Sequence, residues 1–214
     1  MIMNKIDEIL NNLIERYPVL EASKDDIYHA YKILEECYLN GNKLLVAGNG
    51  GSAADAEHIV GELMKSFIKR RPLEENFKKK MIELDSEMGS VLAEKLEGTL
   101  PALSLNMNIG LNTAFLNDVD GLLILAQEVQ GYGKEGDVFL GISTSGNSVN
   151  VNYAAIVARA KGMKTIALTG KDGGKLKDKV DAAIIVKEME TYKIQELHLP
   201  IYHALCLMLE ERFF

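Results

Sequence analysis

Five short apolar segments, separated by helical patterns, constrain the fold of this chain more than any other feature of its sequence. Each segment is too short for a buried helix and lacks the alternation of a strand with one face in water. Such strands, alternating with helices, form βαβ units around a parallel sheet that is covered on both faces. We therefore expect a three-layer α/β/α fold with a five-stranded, mostly parallel sheet. The predicted strands are Lys43–Ala47, Leu100–Leu105, Asp137–Ile142, Lys164–Leu168 and Ala182–Val186.

Two helical patterns precede the first strand. Residues 2–17 place their apolar side chains on one stripe, and Pro18 ends the pattern. A second helix is predicted to begin at Ser23, which has capping-box spacing with Asp26, and to end at Gly41. Both helices are amphipathic, so each must pack its apolar stripe against another surface.

The chain divides into two predicted parts. We expect residues 1–41 to pack on the main domain or at an oligomer interface, and residues 42–214 to form that domain. Residues 69–98 are strongly charged and mostly helical in pattern, which predicts a helical insertion on the surface. The basic residues of this insertion either reach an anionic ligand or only face solvent; they are Arg70, Arg71 and Lys78–Lys80.

Four further helices are predicted within the main domain. Helical periodicity covers Ser52–Phe67, Asn108–Gly131 and Ser148–Lys161, and a last helical stretch covers about Thr191–Phe214. We expect Pro200 to bend or restart that last helix, because proline lacks the N–H that an uninterrupted helix uses.

Composition and charge exclude several classes of protein. The chain has 214 residues, 47% of them hydrophobic, which is enough for one domain with a real core. A net charge of −7 argues against a broad nucleic-acid surface, and we expect no nucleic-acid partner. No stretch approaches the roughly 18 apolar residues of a membrane span. The two cysteines lie in apolar helical patterns and indicate buried thiols in a reducing compartment. We therefore expect a soluble, cytoplasmic protein without a membrane partner.

The first predicted strand runs into a glycine-rich loop, Gly48–Ser52. Ser52 and Asp55 have the spacing of a second capping box, so a helix should start here. Glycines let a ligand approach the backbone, and a helix start offers unpaired N–H groups, so the loop suits an anion. The alternative is a tight turn that binds no ligand.

The same loop is a weak match to the dinucleotide-binding fingerprint, since Gly48, Gly50 and Ala53 have the spacing G-x-G-x-x-A. That fingerprint requires an acidic residue about 20 residues further on, at the end of the next strand. Here residues 67–71 are basic and helical, and the next strand ends only at Asn106. A G-K-[ST] motif is also absent from the sequence. We expect neither NAD nor a P-loop nucleotide.

The third strand is followed by a loop with four hydroxyl side chains, Ser143–Ser148. Hydroxyls and helix-start N–H groups bind a phosphomonoester without a basic side chain, which fits an acidic protein. The alternative is a loop whose hydroxyls only cap its own backbone. Another glycine-rich loop, Thr169–Gly174, is predicted at the same edge of the sheet, where ligands of open α/β folds bind.

Two groups of side chains are candidates for chemistry. His58 and Glu62 are four residues apart on one helix and therefore share a face. Gln195, Leu199 and His203 form a stripe on the last helix. If the two stretches meet, two imidazoles, a carboxylate and a glutamine amide could bind a divalent ion, and the imidazoles and carboxylate suit zinc. The alternative is that each is an ordinary polar residue on a helix face.

These motifs together resemble the phosphoheptose isomerases, a branch of the sugar isomerase (SIS) domain class. The resemblance rests on GNGGSAADAEH, GISTSGNS, LTGKDGGK and the terminal QELHLPIYH, and it extends over most of the chain. It implies an SIS fold, a homotetramer with active sites between subunits, and one zinc ion per subunit. It also implies interconversion of sedoheptulose 7-phosphate and D-glycero-D-manno-heptose 7-phosphate.

The resemblance assigns roles to residues at matching positions. Glu62 and His203 match the catalytic pair, which would move a proton between C1 and C2 through an enediol. The metal ligands would be His58, Glu62, Gln195 and His203. The phosphate would be bound by Ser143, Thr144, Ser145 and Ser148. Further substrate contacts would come from Asn49, Gly50, Gly51, Ser52, Glu62, Asn117, Asp118 and Gln195.

The sequence departs from the family pattern at several positions. Ala53 and Ala54 stand where many members have His-Cys, Ser66 where many have Arg, and Tyr192 where many have Asp. The 69–98 segment is also longer than the usual link. Two alternatives therefore stay open: an isomerase of another sugar phosphate, and a non-catalytic SIS protein that binds a sugar phosphate or a partner protein. The latter class includes the replication-initiator-associating proteins. Retention of both Glu62 and His203 favours an enzyme.

Overall fold

The computed structural model describes residues 5–105 and 107–214, and within these it contains one five-stranded sheet. Its strands are β1 (Leu44–Ala47), β2 (Ala102–Ser104), β3 (Val138–Ser143), β4 (Lys164–Thr169) and β5 (Ala182–Ile185). The strand order is β2-β1-β3-β4-β5, and every neighbouring pair is parallel. The predicted parallel sheet is therefore confirmed. Ile2 and Asn106, at the start of the first predicted helix and the end of the second predicted strand, lie outside the described residues.

Helices cover both faces of the sheet. They are α1 (Lys5–Arg16), α2 (Lys24–Leu39), α3 (Gly51–Met64), α4 (Glu75–Leu84), α5 (Ser86–Lys95), α6 (Ile109–Asp118), α7 (Ile124–Tyr132), α8 (Val149–Ala160) and α9 (Thr191–Phe213). The expectation of one helix over Asn108–Gly131 is wrong, because the chain turns between α6 and α7. Asp120 causes this break: its side chain accepts a hydrogen bond from Leu122 N at 2.8 Å and caps a short 3-10 turn.

The core consists of two apolar clusters, one on each face of the sheet. Leu44 and Val46 of β1 point to the cluster formed with α1, α2, α3 and α9. Leu45 and Ala47 point the other way, to the cluster formed with α7 and α8. This alternation along one buried strand is what three layers require.

Neither predicted capping box forms. Ser23 is buried, and its hydroxyl donates to Ile185 O at 2.8 Å, so it ties α2 to β5 instead of capping a helix. Gly50 is the N-cap of α3, with φ +57°, so the cap lies two residues before the expected Ser52. Ser52 therefore lies inside the first turn, where it is buried.

The long helix α9 runs through Pro200, so the predicted restart at this residue is wrong. A proline inside a helix costs about 3 kcal/mol. Ile194, Ile201 and Tyr202 are buried around it, and their packing outweighs that cost. The continuous helix keeps Gln195 and His203 on one rigid element.

Helices α4 and α5 form a hairpin between α3 and β2. Its two ends meet in an antiparallel bridge between Pro72 and Glu97. Asp85 caps α5 by accepting from Glu87 N and Met88 N, and Gly89 is the one buried residue of the two helices. Among the described residues, no helix is long and apolar enough to cross a bilayer.

Candidate active site

Three loops meet at the carboxyl edge of the sheet, as expected from parallel strands. The loop after β1 is joined to the start of α8 by the amides of Asn49 and Asn150, which exchange hydrogen bonds of 3.0 and 2.8 Å. The loops after β3 and β4 are joined by Gly170 N, which donates to Thr144 O at 3.1 Å. The edge is therefore one connected surface.

The hydroxyl-rich loop after β3 leads directly into α8. Ser143 is buried at the end of the strand, and its Oγ lies 3.0 Å from Oγ of Ser148, the N-cap residue of α8. Thr144 and Ser145 are half-buried beside them. Ser145 Oγ accepts a hydrogen bond from Asn147 N at 3.2 Å. Four hydroxyls at one helix N-terminus form a cradle that suits a phosphate.

The shape of this loop depends on Gly146, which has φ +64°. A Cβ at this position would lie 1.9 Å from Gly173 O, inside the loop after β4. Leu176 N also donates to Gly146 O at 3.0 Å. The two loops therefore touch through their backbones, which only glycine permits.

A cluster of two histidines and one glutamate lies between α3 and α9. His58 Nε2 is 3.0 Å from Glu62 Oε1, and His203 Nε2 is 3.1 Å from the same oxygen. Each of the three residues offers one atom that could ligate a metal ion, and these three atoms lie within 4.8 Å of one another. Both oxygens of Glu62 and Nε2 of His203 are buried, without a partner at hydrogen-bond geometry among the described residues.

The electrostatic environment of the cluster shifts the pKa values of its members. Burial raises the pKa of Glu62, although the His58 imidazole and the Cys206 thiol act against this. Burial lowers the pKa of His203, and the neighbouring His58 and Arg16 lower it further. Taken one at a time, the Glu62 carboxyl group and the His203 imidazole therefore each favour the neutral form more than they would in water. Two imidazoles and a carboxylate that converge on one point, of types that prefer zinc, fit a divalent metal ion.

A second set of side chains, which the sequence does not reveal, orients His58. Tyr202 OH lies 3.0 Å from His58 Nδ1 and donates to Asp55 Oδ1 at 3.3 Å. A partner on Nδ1 fixes the imidazole ring and leaves Nε2 directed at Glu62. In the sequence, the only sign of a role for Tyr202 is its position next to His203. That position does not indicate that Tyr202 contacts His58.

Gln195 precedes His203 by about two turns on α9. A Cβ on Gly51, in the first turn of α3, would be 2.5 Å from Gln195 Nε2. The glutamine amide thus occupies the space beside Gly51 and closes the edge between the glycine loop and α9. The structure brings together three of the four predicted ligands; Gln195 stays a proposed fourth.

Asn117 and Asp118 lie at the exposed end of α6. Asn117 Nδ2 donates to Asp118 Oδ1 at 2.7 Å. Among the described residues, no hydrogen bond or ion pair joins the two to the histidine–glutamate cluster. Their predicted substrate contact therefore remains a prediction.

The expectation that Arg71 faces solvent or an anionic ligand is wrong. Its side chain is fully buried, and it forms an ion pair with Glu210 of α9 at 2.8 Å. The buried partner could not be inferred from the sequence, because Glu210 lies 139 residues further along the chain, on another helix. Arg70 stays exposed, as a solvated surface residue does.

Comparisons with known proteins agree with this architecture. The family model for the SIS domain matches residues 8–98 and 81–170. A phosphoheptose isomerase of Nitratiruptor sp. is 38% identical to this chain over 212 residues, which cover 97% of the chain and 100% of the relative. The chain belongs to the phosphoheptose isomerase family.

Solved structures of the phosphoheptose isomerase family have the same fold. The Francisella tularensis phosphoheptose isomerase superposes with a TM-score of 0.74 at 31% identity, covering 96% of this chain and 98% of that one. The Neisseria gonorrhoeae phosphoheptose isomerase gives a TM-score of 0.69 at 31% identity, covering 94% and 93%. The predicted SIS fold is therefore confirmed.

Two residues that depart from the phosphoheptose isomerase pattern make local contacts. Ser66, where many members have arginine, donates from N and Oγ to the Glu97 carboxylate at 2.8 and 2.9 Å. Ser66 thus connects the end of α3 to the base of the α4–α5 hairpin. Tyr192, where many members have aspartate, is exposed, and its hydroxyl donates to Glu190 at 3.4 Å.

Proposed function

We propose that the chain is an aldose–ketose isomerase that interconverts sedoheptulose 7-phosphate and D-glycero-D-manno-heptose 7-phosphate. The observation that supports this most directly is the 3.1 Å approach of His203 to the Glu62 carboxylate. Isomerisation between C1 and C2 needs one group that moves a proton between the carbons and another that serves the oxygens. A buried carboxylate and a histidine at one point supply both.

In this proposal the substrate phosphate binds the Ser143–Ser148 cradle. The hydroxyls and the first N–H groups of α8 would surround its oxygens, with Thr144 and Ser145 as further donors. Asn49, Gly50 and Ser52 of the connected loop would border the sugar. Gly51 and Gln195 close the same edge, where a carbon chain must pass to reach Glu62.

Glu62 would take the proton from one carbon and return it to the other. Its Oε1 faces the two imidazoles, so Oε2 is the oxygen assigned to the carbon-bound proton. Burial raises the pKa of Glu62, which strengthens it as a base once the site is closed to water. His203 would exchange protons with the two oxygens, as a histidine can near neutral pH.

We also propose that the cluster holds zinc. His58, Glu62 and His203 would be its ligands, with Gln195 as a fourth. Glu62 and His203 would act as acid–base groups only while they are released from the ion, because an atom bound to zinc cannot take up a proton. When bound, a zinc ion would act as a Lewis acid toward the substrate carbonyl. The unpartnered buried atoms of Glu62 and His203 support this assignment.

The family resemblance further supports a homotetramer with active sites between subunits, in which residues 1–41 contribute to the interface. An apolar groove of about 670 Å³ between α1 and α9 supports it as well. Its lining includes Ile9, Leu13 and Leu207, and it reaches His203. A neighbouring subunit in this groove would shield the catalytic pair from water. Light scattering on the purified chain measures the assembly directly.

The test is turnover of sedoheptulose 7-phosphate by the wild-type protein, before and after chelation and zinc repletion. Glu62→Gln and His203→Ala should each lower kcat by roughly 10²–10⁴-fold, since each removes one acid–base group. Glu57→Gln is the matched control, because Glu57 is an exposed glutamate on the same helix.

Tight binding of the sugar phosphate without turnover would contradict the proposed isomerase. In that case Glu62→Gln would leave ligand affinity nearly unchanged, as expected of a non-catalytic SIS protein. Turnover of a different sugar phosphate would reject the proposed substrate, but it would still support Glu62 and His203 as the catalytic pair.

A further inference from the structure

A buried ion pair connects the two helices that contain the catalytic pair. The Arg71 guanidinium donates to Leu63 O at 2.7 Å and to Glu62 O at 2.9 Å, at the C-terminal end of α3. Its Nε also donates to Glu210 Oε1 at 2.8 Å. Arg71 and Glu210 are 0% and 1% exposed.

Glu210 binds the segment that follows α3. Its carboxylate accepts hydrogen bonds from Phe67 N, Ile68 N and Lys69 N at 2.8, 2.9 and 3.1 Å. Burial alone would raise the pKa of Glu210, but these N–H groups and Arg71 hold it below its usual value. The carboxylate is therefore ionised, and both ends of the pair are charged.

The ion pair contacts both helices that present the proposed catalytic residues. Arg71 binds the carbonyl of Glu62 itself, so it holds the backbone from which the catalytic carboxylate projects. Glu210 lies seven residues after His203 on α9, which is about two helical turns on the same face. One ion pair thus fixes the last turn of α3 against the helix that presents His203.

We propose that Arg71 and Glu210 are positioning residues, which set the separation between Glu62 and His203. This inference rests on the proposed function for its catalytic part. A displacement of about 1 Å can cost on the order of 10²-fold in rate, so a fixed separation matters for proton transfer. The same separation governs whether His58, Glu62 and His203 can share a metal ion.

Only arginine has the required geometry. Its planar fork reaches two carbonyls and a carboxylate at once, whereas a lysine ammonium is a point charge on a flexible stem. Removing one partner leaves the other charge buried, which destabilises a protein strongly. Replacing both leaves no unpaired charge, only backbone N–H and C=O groups that lose their partner. Stability and positioning can therefore be separated by comparing single and double variants.

The experiment compares Arg71→Lys, Arg71→Met, Glu210→Gln and the double variant Arg71→Met/Glu210→Met. Three quantities are measured for each: the folded fraction in urea, kcat and KM for sedoheptulose 7-phosphate, and the Kd for Zn²⁺ alone by chelator competition. We expect kcat per folded molecule to fall roughly 10–100-fold and the Zn²⁺ Kd to rise roughly 10–100-fold, with little change in KM. Arg71→Lys should not restore either quantity.

Matched controls lie on the same segments. Arg70→Met removes an exposed arginine next to Arg71, and Glu196→Gln removes an exposed glutamate of α9. Both should keep wild-type kcat and Zn²⁺ affinity. If Arg71→Met does not fold, Arg71→Lys and Glu210→Gln decide the question.

Two results would overturn the proposal. One is wild-type kcat and Zn²⁺ affinity in folded Arg71→Lys and Glu210→Gln; the other is full recovery of both in the double variant, which would mean that the pair serves stability alone. If the wild type binds Zn²⁺ but isomerises no sugar phosphate, the proposed function fails. The Zn²⁺ affinities then still decide whether the pair positions the cluster.

Discussion

Nε2 of His203 lies 3.1 Å from Oε1 of Glu62, although the first residue belongs to α9 and the second to α3. No local interaction within either helix produces this approach. It depends on the packing of both helices on one face of the sheet and on the buried contacts between their ends. The separation between Glu62 and His203 therefore depends on how well that packing is maintained.

Removal of one imidazole from the cluster should reveal its metal affinity. In His58→Ala, Glu62 and His203 remain, so we expect Zn²⁺ to bind more weakly by at least tenfold, since a ligand is lost entirely. Competition with a chromophoric chelator measures the change. His29→Ala is the control, because His29 is exposed on α2. Equal affinity in the two variants would reject His58 as a ligand.

Two glycines of α3 provide a matched test of the role of Gln195. A Cβ in Gly51→Ala would lie 2.5 Å from Gln195 Nε2 and must displace that amide, whereas nothing lies within 4 Å of a Cβ at Gly61. We expect Gly51→Ala to raise KM for the sugar phosphate. Gly61→Ala should keep KM and stabilise the protein by up to about 1 kcal/mol, because alanine favours a helix. Unchanged KM in Gly51→Ala would separate Gln195 from substrate binding.

The hydroxyl cradle should control phosphate affinity. Ser148→Ala removes a hydroxyl that lies 3.0 Å from Ser143 Oγ at the start of α8. Loss of a hydrogen bond to a charged group costs about 1.5–3 kcal/mol, which corresponds to a Ki for inorganic phosphate that is roughly 10–100-fold higher. Ser90→Ala, on the exposed hairpin, is the control. A Ki that does not respond to Ser148→Ala would place the phosphate elsewhere.

Stability should fall in acid because of His198. This residue is fully buried, its Nε2 bonds to Thr169 O at 3.2 Å, and burial lowers its pKa to about 4 from 6.5. Below pH 6.5 the unfolded chain takes up a proton that the folded chain refuses until about pH 4, so the free energy of unfolding decreases across that window as pH falls. The expected loss from this residue is about 3 kcal/mol.

Urea unfolding of wild type and His198→Gln at neutral and acidic pH measures this effect. The variant should be less stable at neutral pH, because its packing is disturbed, but its stability should depend less on pH. His29→Gln should keep the wild-type dependence, since His29 is exposed. Parallel curves for wild type and His198→Gln would assign the acid sensitivity to other groups.

The sheet and the edge loops could be predicted from sequence because their signals are local. Runs such as Lys164–Leu168 reveal a buried strand by composition, and parallel strands must place their carboxyl ends together. The spacing of His58 and Glu62 likewise fixes a shared helix face. These inferences need no knowledge of distant contacts.

The remaining features depend on contacts between distant segments. Ser23 has the spacing of a helix cap, yet its hydroxyl donates to Ile185 O of β5. Arg71 lies in a charged segment typical of a protein surface, yet it forms a buried ion pair with Glu210. Tyr202 orients His58 from another helix. In each case a buried contact between distant segments overrides the local preference. A single sequence does not show which distant segments are in contact.

The bridge between Pro72 and Glu97 places the entrance and the exit of the α4–α5 hairpin side by side. The number of residues in the hairpin can therefore change without altering the path of the main chain before and after it. The hairpin can lengthen, shorten or accept a foreign sequence while α3 and β2 keep their places.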